Sequence, residues 1–142
     1  MKRFLRLVCL LVVFATLASI PTYAQELTPR ASNELSAYRA YCTKKASTSV
    51  VVSYQVIGTT ALDEIGANTI KVQYSSDGVN WTTAKTFQKS VYTSMVGYNT
   101  GMHGGTLTAY VPAGMQYRAY VEFYGEKDGS LTARGYYTAV IS

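Results

Sequence analysis

The stretch VQYSSDGVNW, Val72–Trp81, decides how this chain is read. It is the turn of a β-hairpin or it is a loop built for a ligand. The runs TIKVQY before it and WTTAKTF after it alternate in the manner of strands, and Ser75–Asn80 fills the gap between them. Asp77-Gly78 supplies the left-handed backbone conformation that a hairpin turn with a bulge requires. Trp81 then returns within reach of the first strand, where it can pack near Val72 or Tyr74 as a cross-strand neighbour. The turn is the simpler reading, and it makes the surrounding chain a β-protein.

The alternation spreads outward from that hairpin. SVVVSYQVIG sets Val50, Val52, Tyr54 and Val56 on one side, with Val51, Ser53, Gln55 and Ile57 on the other, as expected of a half-buried strand. MQYRAYVEFY is clearest: Met115, Tyr117, Ala119, Val121 and Phe123 alternate with Gln116, Arg118, Tyr120, Glu122 and Tyr124. GTLTAYV and LTARGYYTAVI are rich in Thr, Tyr, Val and Ile, which suit pleated surfaces. Gly, Pro, Asn or Asp bounds each run. Short alternating strands without a long amphipathic helix imply an all-β fold, a single antiparallel sandwich of about seven strands.

Two segments are less regular. In ASNELSAYRAYCTKK, Leu35, Tyr38 and Cys42 also fall on one helical face after a Ser32 cap, so helix and strand compete over residues 35–43; a strand there would complete the sandwich. GTTALDEIGAN reads as one short helical turn, capped by Thr60, with Asp63 and Glu64 near its positive end and Gly66 closing it. Leu62 and Ile65 would then plug one end of the core.

The N-terminus sets the compartment. Lys2, Arg3 and Arg6 precede the uncharged run Leu7–Ile20, Pro21 breaks it, and Ala24 stands before the expected cut. Those are the three regions of a secretory signal peptide, residues 1–24. The apolar run is short of the roughly 20 residues that a membrane-spanning helix needs, so no stable anchor is expected after cleavage. Val8 before Cys9 does not suit lipid attachment. Loss of the signal lowers the net charge from +5 to +2, which leaves no basic stripe for nucleic acid. The expected mature chain is a flexible segment, 25–34, followed by the sandwich domain, 35–142. It is secreted and extracellular.

Few residues are equipped for chemistry. Cys42 is the one cysteine left after the signal, to be read as a buried small hydrophobe, an intermolecular bridge or an exposed thiol. His103, the single histidine, lies in the Gly-rich stretch GYNTGMHGGT, read as a loop, with no second ligand at metal spacing. Glu122 and Glu126 could act as a carboxylate pair only if the fold assembled them. Asp63 and Glu64 are accounted for by a cap and a solvated neighbour. No cofactor, metal or catalytic residue is expected, and the protein is read as a non-enzyme.

Two further motifs refine the fold. Ser75, Asp77, Gly78 and Trp81 approach the Asp-box turn of sialidase-like propellers, but one spacer is missing between Asp77 and Gly78 and no propeller repeat follows. In YVPAGMQYRAYVEF, Tyr117 enters its strand three residues after Gly114, where the tyrosine corner of immunoglobulin-like sandwiches sits, its hydroxyl bonding back to the upstream backbone. Ala119 stands where an antibody domain has its second cysteine. On these residues the mature chain resembles fibronectin type III and other immunoglobulin-like domains, without their disulfide. The signal, IGANTIKVQYSSDGVNW and YRAYVEFY also look like a family of small exported Gram-positive bacterial proteins of uncharacterised function. That resemblance implies a fold and no activity.

Tyrosine is the unusual resource, with twelve of thirteen outside the signal. If Tyr117 faces the core, Tyr120 and Tyr124 face outward beside Arg118 and Gln116, with Gln73 and Lys71 on a neighbouring strand and Tyr136 joining from the last one. Such rings suit interfaces and sugar faces, although strand propensity alone also enriches tyrosine. Two functions follow. The chain is an exported binding module that presents Tyr120, Tyr124, Arg118, Gln73 and Tyr136, together with a loop bearing Tyr98, Asn99 and His103, to a surface protein or glycan. Alternatively it is a structural protein whose copies join through an edge strand or Cys42.

Overall fold

A computed structural model describes residues 34–142; the expected signal peptide and the segment 25–33 lie outside them. Six strands follow one another: β1 (Leu35–Ala46), β2 (Ser49–Ser75), β3 (Thr82–Gln88), β4 (Val96–Tyr110), β5 (Gln116–Lys127) and β6 (Ser130–Tyr137), with a single 3-10 turn, Thr93–Met95, before β4. Every pairing is antiparallel. The fold is all-β. Residues 35–43 are strand: Ala40 and Cys42 turn inward while Arg39 and Tyr41 turn to solvent, the period of two that a half-buried strand needs.

The long β2 organises the sheet. Its first arm lies between β1 and β4, where Val52 faces Cys42 on one side and Leu107 on the other. Its second arm lies between β3 and β5, where Ile70 faces Phe87 and Val121, and β6 continues outward from β5. Buried side chains from both arms belong to one core cluster. Val50, Val52 and Val56 enter it from the first arm, Ile70 and Val72 from the second, and Ala119, Val121 and Phe123 from β5, all fully buried. Ring contacts join β1 to strands it does not pair with: Tyr38 of β1 lies 5.2 Å from Phe123 of β5 and 6.2 Å from Tyr136 of β6, between centroids. Each fully buried Val, Ile or Phe contributes about 1.5–3 kcal/mol relative to exposure.

Two sequence expectations are corrected. GTTALDEIGAN is not a helical turn but extended chain within β2. Leu62 and Ile65 are both buried, yet their spacing arises from a register break between Ile57 and Leu62 against β4, and residues 64–66 are flanked by β4 and β5 together. The β-branched pair Thr59-Thr60 favours extension. The second correction concerns GYNTGMHGGT, which is strand and not loop: Tyr98, Asn99 and His103 all belong to β4. Its glycines permit close approach of neighbouring strands, since a Cβ on Gly104 would come within 2.6 Å of the Tyr54 carbonyl oxygen.

The turns follow from local chemistry. The Asp77 carboxylate accepts the backbone N–H groups of Val79 and Asn80 and the Ser75 hydroxyl, each at 2.8 Å. The Asn80 and Val79 N–H groups foremost hold that carboxyl well below the usual carboxylate range. Gly78 takes the left-handed conformation, φ 73°. After β4, Gly114 does the same at φ 73°, and the buried Tyr117 donates its hydroxyl to the Pro112 carbonyl at 2.6 Å while accepting the Met115 N–H at 3.3 Å.

Candidate functional site

The alternation of β5 buries Tyr117, Ala119, Val121 and Phe123 and leaves Gln116, Arg118 and Tyr120 on the outer face. Arg118 is opposite Gln73, and its Nε donates to the Gln73 side-chain oxygen at 2.9 Å. That bond fixes the plane of the guanidinium. Its Cζ lies 4.1 Å from the centroid of the Trp81 ring and 4.5 Å from that of Tyr137. Tyr137 in turn lies 4.9 Å from Tyr120. The outer face therefore carries one continuous row: Trp81, Arg118, Tyr137, Tyr120. A cation between two rings contributes about 0.5–2 kcal/mol per contact, depending on exposure.

Backbone economy at β6 completes the row. Gly135 leaves room for Tyr120, whose hydroxyl would lie 2.6 Å from any Cβ added there. Partial burial in this position, then the nearby Glu122 and Tyr137, push the Tyr120 hydroxyl up.

Several residues expected at the site are elsewhere. Tyr124 is not exposed but 2 % accessible. Its hydroxyl donates to Glu64 at 2.8 Å, and the Lys89 ammonium stands 4.0 Å above its ring. Burial, then that carboxylate, raise the phenol. The hydrogen bond from Tyr124, then Lys89 at 3.3 Å, lower Glu64. The chain joining β3 to β4 covers this end of β5, because Gly66, the cross-strand partner of Tyr124, lies directly under the Met95 carbonyl. Tyr136 faces inward against Tyr38 and Phe123, and its neighbour Tyr137 takes the outer place. Trp81 precedes the first paired residue of β3, Thr82, and crosses to Arg118 instead of packing at Val72 or Tyr74.

Tyr98, Asn99 and His103 do not join the row. Tyr98 is exposed, Asn99 bends β4 at φ 49°, and the His103 Nε2 lies 2.9 Å from the Ser94 carbonyl oxygen. Asp63 is not a helix cap: it accepts the Asp128 N–H at 2.8 Å, which leads in lowering its carboxyl, and pairs with Lys127 at 3.4 Å. Cys42 is buried, and burial pushes its thiol up to about 11. Among the described residues no three His, Cys, Asp or Glu side chains gather as metal ligands would.

No family model matches the sequence, and no curated protein matches it. Among solved structures the chain is similar to the crystal structure of a protein from Archaeoglobus fulgidus, at 7 % identity and a TM-score of 0.39, over 76 % of this chain and 96 % of that one.

Proposed function

We propose that the chain is an exported, non-catalytic interaction module with an immunoglobulin-like β-sandwich fold, and that the row Trp81, Arg118, Tyr137, Tyr120 docks a protein at the cell surface. The observation that carries this reading is the guanidinium held between two rings on an outer sheet face. Trp, Tyr and Arg are the residues that dominate interface energetics, and a side chain already fixed by Gln73 loses little further freedom on binding. Export rests on the basic, apolar and small-residue regions of residues 1–24. The immunoglobulin-like assignment rests on the Asp77-Gly78 hairpin, the Tyr117–Pro112 hydrogen bond and the two inner faces around one core.

The test is a screen of the secreted protein against bacterial and host surface proteins and glycans. A protein ligand should be captured, and Arg118→Ala or Tyr137→Ser should weaken it at least tenfold, about 1.4 kcal/mol, in proteins that stay folded by circular dichroism and melt lower by no more than the lost ring contacts account for. Capture indifferent to both substitutions rejects the docking row.

Self-assembly is the second reading. It is favoured by β1, which pairs with β2 alone among the described residues and leaves its other edge open. Cys42 contributes little to it, since a buried thiol of raised pKa is a poor partner for an intermolecular bridge. Sedimentation over a wide concentration range separates the readings, because a monomer throughout rejects assembly.

A further inference from the structure

The other layer carries a second concavity that the docking row does not use. On the outer face of β1, β2 and β4, a shallow groove of about 550 Å³ is lined by Arg39, Tyr41, Ser53, Gln55, Met102 and Thr106 among others. Its floor is made of two cross-strand rows, Arg39–Gln55–Gly104 and Tyr41–Ser53–Thr106. Gly104 must lack a side chain because its backbone approaches the Tyr54 carbonyl. That same absence opens a notch between Met102 and Thr106. Sequence reading had no route to this groove, since it took the glycines for loop.

The polar groups around the notch are oriented in advance. The Arg39 Nη2 donates to the Gln55 side-chain oxygen at 2.6 Å, and the Gln55 amide donates onward to the Met102 sulfur at 3.2 Å. The ion pairs among the described residues are Lys89–Glu64 and Lys127–Asp63. Arg39 thus keeps its charge opposite a neutral amide, and no carboxylate lines the groove. Beside it Tyr41 is 46 % exposed, and Ser53 and Thr106 bring hydroxyls to the same row.

We propose that this groove binds a carboxylate-bearing sugar, such as a uronic or nonulosonic acid residue of a glycan. The free N–H groups of Arg39 match a carboxylate in two-point geometry. Tyr41 presents an apolar ring to the C–H face of the pyranose while its hydroxyl stays in solvent. Ser53 and Thr106 offer donors and acceptors to ring hydroxyls. A charge with no ion-pair partner among the described residues, a ring and a hydroxyl row around a notch select for an acidic sugar over a neutral one.

The proposal stands apart from the docking row and is tested separately. Amide chemical shifts of the isotopically labelled protein are followed during titration with a glucuronate-containing disaccharide, its neutral glucose analogue and a short peptide with a free carboxylate. The acidic disaccharide should shift residues of β1, the first arm of β2 and β4, and bind at least tenfold more tightly than the other two. Arg39→Gln and Tyr41→Ala should each weaken it at least tenfold with unchanged melting temperatures, whereas Arg118→Gln, on the other layer, should leave it unaltered. Equal binding of the neutral sugar or the peptide, no saturation at millimolar acidic sugar, or full binding by Arg39→Gln overturns the proposal.

Discussion

Replacing Tyr117 by Phe removes one oxygen atom from a wholly buried ring and leaves the packing of that ring intact. Two hydrogen bonds end on that oxygen, the donation to Pro112 at 2.6 Å and the acceptance from Met115 at 3.3 Å. A typical intramolecular bond contributes about 0.5–1.5 kcal/mol net, and a buried group left unsatisfied costs about 1–3 kcal/mol. The Pro112 side of the turn is exposed, so water recovers part of the loss there. The expected cost is about 2 kcal/mol, which for a domain of this size lowers the melting temperature by about 8 °C. Thermal unfolding with Tyr110→Phe as control is the assay, because Tyr110 is 83 % exposed and its hydroxyl should contribute nothing. A shift within about 2 °C of that control would refute the view that this bond pins the turn from β4 to β5.

Other perturbations address the covered end of β5. Glu64 has a lowered pKa in the folded protein, through Tyr124 first and Lys89 third after the opposing effect of burial. Its stabilisation is therefore present above the unfolded value near 4.5 and lost as pH falls through the folded value. Glu64→Gln should be less stable than the parent at pH 7, with the gap closing in acid; a gap constant from pH 7 to pH 2, followed by chemical denaturation, contradicts the linkage. Gly66→Ala places a Cβ 2.1 Å from the Met95 carbonyl oxygen, so the backbone must move. A loss of about 3 kcal/mol is expected, and an unchanged unfolding midpoint would show that the crossing chain is not packed there.

Hairpin and turn were legible because their determinants are local. Asp77-Gly78 and Gly114-x-x-Tyr117 act within a few residues, and the alternation of β5 follows from the pleat alone. Tyr124 was misplaced because its outer face is covered by the chain around Met95, which no periodicity reports. Tyr136 and Tyr137 are adjacent, so parity decides which of them faces inward, and only pairing with β5 sets that parity. The Trp81–Arg118–Tyr137 row joins three distant stretches of sequence, and nothing local points to it beyond the tyrosine abundance. Residues 58–66 read as a helical turn because Thr60, Asp63, Glu64 and Gly66 stand where a cap, first-turn acids and a terminator would; an irregular strand shared by two neighbours buries Leu62 and Ile65 just as that turn would.

β2 spans 27 residues and hydrogen-bonds to β1, β3, β4 and β5. A single peptide cleavage near its middle would sever the molecule's spine, and neither fragment would inherit a complete sheet. Nascent chain emerging through β2 has only β1 to pair with; three of its four partners are still to be made. Productive folding must therefore wait for the C-terminal strands, as expected when most contacts are distant in sequence.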